Sequence, residues 1–463
     1  MIEELESRTL LSATPVYTHH VHGWRHDPTA VERGRRVASK PDFLQVSVNK
    51  RYLVHSDGTP FFYMADTAWE LFNKTTRAEA DLYLETRAAQ GFTVIQAEIN
   101  ARFTDIYRNA AFRHNSVARP NETFFQNVDY MIRRANSLGM YIALVPLDSE
   151  WSVNGKFNKE NVYQFGKFLG RRYANDRIIW VLGGDVAGNQ GDGIDMWRNM
   201  AAGIARGAAN RDQSKVLMTY HPDYAESSSK WFQNDAWLDF NGIQSGHSFN
   251  RANYDMVSAD YGKHPQKPVI DIEPGYEDIP AGIKQGNPRL TDYDVRKAEY
   301  TSLFAGSFGV TYGNNNVWQF VTTPGSKRNL ATMKWQEALD SLGSYSMKYL
   351  KRLMLSRPML NRMPDQSMLV GTTYGAADRV QATRAADGSY AFIYTASGKA
   401  VTVNLNKLSG TRITARWYNP RAAKSVYLGE FAKGTRTFKA PSSGVNNDWV
   451  LVLDDSSKGY GKP

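Results

Sequence analysis

Eight short apolar runs, separated by segments with helical periodicity, constrain the fold of this chain more than any other feature. They recur about every 20 to 50 residues over roughly 290 residues of sequence. The runs lie at residues 61–65, 94–97, 141–145, 178–182, 216–221, 238–244, 268–273 and 309–313. Strands that alternate with helices predict a parallel sheet, and eight such units fit a (β/α)8 TIM barrel. A doubly wound sheet is the competing prediction, but no glycine-rich phosphate-binding sequence follows the first strand.

The barrel domain is predicted to occupy residues 46–357, beginning with a hairpin at 46–64 that turns at Asp57-Gly58. Residues 1–45 are polar and irregular, and we interpret them as a separate N-terminal arm. Within the arm, residues 5–13 resemble an N-terminal motif of some exported bacterial surface proteins, which predicts an extracytoplasmic location. No apolar run approaches the roughly 20 residues needed to cross a bilayer, so no membrane span is predicted.

The pattern changes after Pro358. Short alternating runs at 380–383, 390–395, 400–405, 411–418 and 449–453 are separated by Gly, Asn, Asp and Ser. No helical period remains in this region. Residues 358–463 are therefore predicted to form an antiparallel β-sandwich, and the short link after the last barrel helix predicts that it packs against the barrel.

Composition excludes several kinds of chemistry. The chain has no cysteine, so disulfides, thiol catalysis and thiolate metal ligands are impossible. The formal net charge is +10, but Lys and Arg are scattered rather than clustered, which favours a solvated surface. We therefore predict no nucleic-acid partner. We also predict neither a cofactor nor a catalytic metal.

Two acids directly follow strongly apolar runs. Asp185 comes after residues 178–184, and Glu273 comes after residues 268–272. A carboxylate is costly to bury, and packing gives no reason to place one there. Catalytic groups of a TIM barrel lie at the C-terminal ends of its strands, so the two acids are expected to meet. Cleavage of a glycosidic bond requires such a pair, one as proton donor and the other as nucleophile or base.

Other strand ends carry acids, imidazoles, an amide and indoles. Carboxylates and amides bind sugar hydroxyls, and flat aromatic rings bind the C–H faces of sugars. A polysaccharide or oligosaccharide substrate is therefore expected. The predicted substrate-binding residues are Asp66, Trp69, Glu98, Asp148, His221, Gln244, His247 and Trp318.

Several of these residues also have simpler interpretations. Asp66 and Asp148 are equally suited to cap the helix that follows each strand, and His221 and His247 could be structural. Asp271 points to the same side of its strand as the acid two residues later, so it could be the catalytic partner instead. A non-catalytic carbohydrate-binding protein would need the aromatic residues but not both acids.

Six ordered motifs between about residues 45 and 355 resemble the apiosidase-like glycoside hydrolases of family 140. They are Ala65-Asp66-Thr67-Ala68-Trp69, Leu182-Gly183-Gly184-Asp185, Thr219-Tyr220-His221-Pro222, Ile243-Gln244-Ser245-Gly246-His247, Glu273-Pro274-Gly275-Tyr276-Glu277, and Thr311-Tyr312-Gly313 with Val317-Trp318-Gln319. The C-terminal part, including residues 417–421, resembles the attached β domain labelled as a collagen-binding domain of a collagenase. That label is not evidence of collagen binding, and no peptidase motif accompanies it.

The resemblance implies a glycosidase acting on a plant or microbial polysaccharide, with apiose-containing pectin or another furanoside as substrate. By analogy with related retaining barrels, Asp185 would be the acid/base and Glu273 the nucleophile. Two departures bear on specificity. Gly184 stands where those barrels usually have an Asn that grips a sugar 2-hydroxyl, and Val310 stands where family members often have His.

Overall fold

The structure is a computed structural model that describes residues 43–147, 149–210, 215–325, 330–371 and 374–463. Nearly all of the predicted N-terminal arm, including residues 5–13, lies outside the described residues, as does Asp148. The described chain opens with β1 (Gln45–Val46), β2 (Leu53–Val54) and β3 (Pro60–Phe61). These pair antiparallel in the order β1-β2-β3, so the predicted hairpin contains three very short strands.

Eight parallel strands follow, and most of their residues are buried. They are β4 (Tyr63–Thr67), β5 (Val94–Glu98), β6 (Tyr141–Val145), β7 (Ile178–Gly183), β8 (Met218–His221), β9 (Asn241–Ile243), β10 (Val269–Asp271) and β11 (Gly309–Tyr312). Six of them form one sheet in the order β11-β4-β5-β6-β7-β8, while β9 and β10 pair with each other. Because the last strand pairs with the first, Gly309 opposite Tyr63, the sheet curls.

Single backbone hydrogen bonds connect the two parallel sheets. Asp239 N donates to Met218 O over 2.9 Å, just before β9, and Phe308 N donates to Val269 O over 3.0 Å, just before β11. The barrel domain is therefore a curled parallel sheet with helices, as the alternation of strands and helices in the sequence predicted.

Helices connect the strands. They are α1 (Leu71–Lys74), α2 (Arg77–Ala89), α3 (Glu122–Ser137), α4 (Ser149–Val153), α5 (Val162–Arg172), α6 (Ile194–Ala209), α7 (Ser229–Phe232), α8 (Asn253–Tyr261), α9 (Asp292–Phe304), α10 (Trp335–Ala338) and α11 (Leu342–Leu355). The start of α2 is a capping box: Thr76 N donates to Glu79 Oε2 over 2.8 Å, and Glu79 N donates back to Thr76 Oγ1.

The sequence pattern predicts one last barrel helix from about residue 334 to residue 355, but the structure divides this segment into α10 and α11. Ser341, between them, has an extended backbone and is the N-cap of α11. Glu277 accepts a hydrogen bond from Gly343 N over 3.1 Å, in the first turn of α11. A side-chain acceptor at that position satisfies a backbone N–H that has no partner within the helix, and the apolar pattern alone does not reveal this new helix start.

The C-terminal domain contains eight strands in two antiparallel sheets. The strands are β12 (Arg362–Pro364), β13 (Val380–Ala385), β14 (Tyr390–Thr395), β15 (Val401–Asn404), β16 (Arg412–Asn419), β17 (Lys424–Ala432), β18 (Thr435–Phe438) and β19 (Trp449–Asp455). The larger sheet has the order β12-β13-β14-β19-β16-β17, and β15 pairs with β18. Sequence analysis predicted five of these strands and missed β12, β17 and β18.

The larger antiparallel sheet is covered on both faces. Alternate residues such as Ile393 and Leu451 share a core with Val401 of the small sheet. The residues between them point to the other face of the sheet and belong to the barrel core. There Tyr394 stacks on Tyr300 of α9 with ring centroids 4.8 Å apart. Side chains alternate across a strand, so one sheet serves both cores. The domain packs against the barrel, as the short link predicted.

Candidate active site

A tight backbone turn at the end of β7 presents Asp185. Gly183, Gly184 and Asp185 have φ values of 89°, 137° and 58°, a region where glycine is strongly favoured. A Cβ on Gly184 would lie 2.6 Å from Leu147 O, so no side chain fits there. The two glycines therefore turn the chain sharply, and Asp185 is exposed in a cavity at the end of the sheet.

Glu273 follows β10 and lies between two histidines. His247 Nε2 is 3.1 Å from Oε1 of the carboxylate in a hydrogen bond, and His221 Nε2 is 2.9 Å from Oε2. The His221 contact is a close charge contact rather than a well-directed hydrogen bond. All three side chains are buried. Both carboxylate oxygens therefore face an imidazole.

Backbone groups set the orientation of both imidazoles. Tyr276 N donates to His247 Nδ1 over 3.3 Å, so the proton of a neutral His247 is on Nε2 and points at Glu273. His221 Nδ1 lies 3.2 Å from Asp185 N and 3.1 Å from Pro222 O. When the ring is neutral, Nδ1 accepts a hydrogen bond from Asp185 N. When the ring is protonated, Nδ1 donates a hydrogen bond to Pro222 O. In both forms Nε2 carries a proton toward Glu273.

The two candidate catalytic acids are electrostatically different. Burial alone raises the pKa of Glu273, but His221 and His247 outweigh burial and hold that pKa well below its usual range. The pKa of Asp185 is raised mainly because the surrounding protein removes water from its carboxyl group, and secondly by the negative charge of Glu273. Burial lowers the pKa of His221, yet the neighbouring carboxylates raise it overall. Glu273 is thus an ionised acceptor, and Asp185 is the better proton donor.

The cavity has a volume of about 500 Å³ and brings together seven of the ten predicted site residues. Trp69 lies edge-on to His221, with ring centroids 5.3 Å apart, and donates from Nε1 to Tyr276 Oη over 3.1 Å. Trp318 is half-buried and also lines the cavity. The predicted residues that line the cavity are Trp69, Glu98, Asp185, His221, His247, Glu273 and Trp318.

Two of the described residues that were predicted for the site, Asp66 and Gln244, do not line the cavity. Asp66 is fully buried against α2, where it accepts hydrogen bonds from Arg87 Nε over 2.7 Å and from Tyr83 Oη over 2.5 Å. That geometry gives it a structural role and offers no contact with substrate. Gln244 is buried within hydrogen-bonding reach of the Asp185 carboxylate. Asp148 is outside the described residues.

Asp271, the alternative catalytic partner, does not line the cavity. Its carboxylate is buried and accepts hydrogen bonds from Ser245 Oγ over 2.6 Å and from Asn253 Nδ2 over 3.1 Å. It lies behind Glu273 rather than beside a substrate.

Sequence analysis did not assign a site role to Tyr276. Its buried side chain lines the cavity, contacts the His247 ring at 4.4 Å between centroids, and lies within hydrogen-bonding reach of Glu273. Its position three residues after Glu273 in a recognised motif was the available signal. Arg102 and Phe103, on the loop after β5, also line the cavity, and nothing in their local pattern indicated this.

Two further findings concern the part of the chain that the structure describes. Within those ranges, no three His, Asp or Glu side chains converge as metal ligands. No helix there is both long and apolar enough to cross a bilayer.

A curled parallel sheet with a carboxylate pair and aromatic walls at its strand ends is the arrangement of a glycoside hydrolase. Residues 47–361 match the family described as "Apiosidase-like, catalytic domain", and the chain belongs to that family of glycoside hydrolases. Residues 363–454 match a family described as "Putative collagen-binding domain of a collagenase". No curated protein matches the chain.

Solved structures agree with this assignment. A protein titled glycoside hydrolase is 36% identical with a TM-score of 0.85, covering 90% of this chain and 98% of its own. A glycoside hydrolase family 5 structure from Bacteroides vulgatus is 35% identical with a TM-score of 0.85, over 90% and 95% of the two chains. A structure from Bacteroides vulgatus titled "putative glycoside hydrolase" shares the fold at 16% identity and a TM-score of 0.66, over 90% of this chain and 82% of its own.

Proposed function

We propose that this glycoside hydrolase is a retaining enzyme in which Glu273 attacks the anomeric carbon. Asp185 protonates the leaving oxygen and then removes a proton from the water that releases the sugar. The observation that carries the proposal is that both acids line one cavity while only Glu273 is held between two imidazoles; this surrounding lowers the pKa of Glu273, whereas that of Asp185 is raised. Two carboxyl groups whose surroundings separate their pKa values divide the roles of acid and base.

Retention is favoured by the chemistry of Glu273. A carboxylate with a strongly lowered pKa is a weak base, poorly matched to removing a proton from water near neutral pH, as inversion requires. The same property makes it a good leaving group when water displaces it from a covalent glycosyl–enzyme intermediate. The imidazoles of His221 and His247 would stabilise the carboxylate as it leaves.

A furanoside is the proposed substrate, with an apiose-containing pectin fragment as the first candidate. The family description supports this choice. In the proposed complex, the rings of Trp69 and Trp318 contact the C–H faces of the sugar, and the Glu98 carboxylate accepts a hydrogen bond from a hydroxyl. A non-catalytic carbohydrate-binding protein would have no use for two carboxyl groups with separated pKa values.

Product analysis on a panel of furanosides and pyranosides tests the function. Proton NMR should show first release of the anomer with retained configuration, and exhaustive chelation should leave activity unchanged. Release of the inverted anomer would reassign Glu273 as a general base. Glu273→Gln should abolish nearly all turnover, and full activity in this variant would reject the catalytic pair.

A second substitution tests the role of Asp185 as the proton donor. Asp185→Asn should lower kcat/KM for oligosaccharides by about 10²- to 10⁴-fold, the usual contribution of a positioned acid. It should spare kcat/KM for nitrophenyl glycosides, because their leaving group needs no proton, while their kcat falls because the base for the second step is lost. Equal losses on both substrate types would contradict the role of Asp185 as proton donor.

We also infer that the eight parallel strands close into one barrel and that the two antiparallel sheets form a sandwich. The backbone hydrogen bonds before β9 and β11 support the first inference, and the core shared by the two antiparallel sheets supports the second. The motif at residues 5–13 supports an extracytoplasmic location, which fractionation of expressing cells would test.

A further inference from the structure

The loops that follow β9 and β10 carry His247 and Glu273, and their backbones are tied together. Gly246 N donates to Glu273 O over 3.0 Å, and Ile272 N donates to Ile243 O over 2.9 Å. Any group that fixes the first residues of both loops therefore fixes the His247 ring relative to the Glu273 carboxylate.

Asp271 is placed to do this. Its carboxylate accepts hydrogen bonds from Ser245 N over 3.2 Å and from Ser245 Oγ over 2.6 Å, at the start of the His247 loop. It also accepts one from the backbone N–H of Glu273. Asn253 of α8 donates to the same carboxylate over 3.1 Å. A buried anion with several donors is held strongly, because hydrogen bonds to a charged group are stronger than those between neutral groups.

A second buried acid faces Asp271. Glu299 of α9 accepts a hydrogen bond from Thr311 N over 3.2 Å, whereas Asp271 accepts four. Burial, and then the charge of Asp271, raise the pKa of Glu299 well above its ordinary value. Burial raises the pKa of Asp271 as well, but its four hydrogen bonds act in the opposite direction, because hydrogen bonds to the charged form favour ionisation. Asp271 is therefore the more acidic of the two groups, and Glu299 is the one that holds a proton more readily.

We propose that Asp271 is a positioning residue that anchors the loop at 245–247 and thereby aims His247 at Glu273. The inference rests on the proposed function, because it assigns Glu273 the role of nucleophile. Asp271 does not line the cavity, so it acts through His247 and not on substrate.

The variant Asp271→Asn tests the proposal, because its amide group turns a donor toward Ser245. We expect kcat to fall by up to about 10²-fold with KM nearly unchanged, the effect of a misplaced catalytic group. In the pH profile of kcat/KM, the apparent pKa of the acidic limb should rise toward the ordinary glutamate pKa of about 4.3, because His247 no longer donates a well-placed hydrogen bond to Glu273. Loss of the Asp271 charge alone would favour the ionised form of Glu273 and would lower that apparent pKa. The direction of the change therefore separates positioning from a simple charge effect.

Asp260 provides a matched control. It is also buried and is bound by two serine hydroxyls, from Ser227 and, over 2.7 Å, from Ser229, but it does not line the cavity. Asp260→Asn should lose stability and leave the pH profile unchanged. An equal rise of the acidic limb in Asp260→Asn would overturn the proposal.

Ser245→Ala keeps the proposal testable if Asp271→Asn does not fold. It removes the hydroxyl bond and keeps the backbone bond, so the acidic limb should rise by a smaller amount. An unchanged or lowered limb in either variant overturns the proposal while leaving the function intact. Retained turnover in Glu273→Gln would instead reject the function itself.

Discussion

His247 donates a hydrogen bond from Nε2 to Oε1 of Glu273 across 3.1 Å. Its other ring nitrogen accepts the backbone N–H of Tyr276 over 3.3 Å, which fixes the tautomer. Because Tyr276 is three residues after Glu273, the loop that carries the carboxylate also orients its donor. The loop geometry therefore orients one of the two imidazoles that lower the pKa of Glu273.

Replacing His247 should weaken this control. In His247→Gln, the pKa of Glu273 should rise, because one of the two groups that lower it is removed. We expect kcat/KM to fall about 10- to 10²-fold below pH 5, with a smaller loss at neutral pH where Glu273 remains ionised. A pH–rate profile measures both effects. His55→Gln, in the N-terminal sheet region, should leave the profile unchanged, and a uniform loss at every pH would contradict the assignment.

Gly184→Ala should damage both stability and activity. At φ 137° an alanine is strained, and its Cβ would lie 2.6 Å from Leu147 O. Backbone strain of this kind costs about 1–3 kcal/mol before any clash is counted. The turn must then shift and displace Asp185, so kcat on oligosaccharides should fall more than stability alone explains. Gly155→Ala is the control, because it has φ 80° with no atom within 4 Å of the added Cβ; equal activity losses in the two variants would count against a special role for the turn.

Asp66→Asn should destabilise the protein without changing substrate recognition. The substitution leaves the buried Arg87 guanidinium without its carboxylate partner, and breaking a buried ion pair costs about 3–5 kcal/mol. Urea unfolding measures this loss. At temperatures where the variant is folded, KM should match the wild type. A raised KM with normal stability would restore the predicted contact between Asp66 and substrate.

Strong periodic patterns predicted most of the barrel domain. The structure has β6 at 141–145 and β11 at 309–312, where the apolar runs 141–145 and 309–313 predicted strands, since both strands are fully buried. In contrast, β17 was missed because its side chains are exposed or half-buried along its whole length. An edge strand with no buried face leaves no hydrophobic alternation to detect. The break before α11 also escaped prediction, because Glu277 supports it from a distant part of the sequence.

Strand ends predicted the residues that meet in the cavity, but not which way each side chain points. Asp66 and Thr67 are adjacent on β4, and side chains alternate across a strand. Thr67 lies within hydrogen-bonding reach of Tyr276 in the site, whereas Asp66 faces Arg87 of α2. A shift of one residue would exchange them, and the preceding run at 61–65 is apolar at every position, so it does not settle the direction.

Glu277 should make stability depend on pH. Burial raises the pKa of this carboxyl from its ordinary 4.5 to about 7, although it accepts hydrogen bonds from Tyr312 Oη over 2.6 Å and from Gly343 N over 3.1 Å. In the unfolded chain Glu277 loses its proton near pH 4.5, while the folded protein retains it to about pH 7. The unfolded state therefore binds fewer protons in this window, and the free energy of unfolding falls as pH rises.

Glu277→Gln should remove this slope. The amide keeps an oxygen that can accept the Tyr312 hydroxyl, and it carries no charge at any pH. The contribution of Glu277 is fully present below pH 4.5, is lost by about pH 7, and amounts to at most ~3 kcal/mol. Urea unfolding between pH 4 and pH 8 should thus show the variant gaining stability relative to wild type as pH rises. Glu160→Gln, at an exposed position, should show no such gain. Parallel stability curves for wild type and Glu277→Gln would mean that the folded protein carries Glu277 ionised.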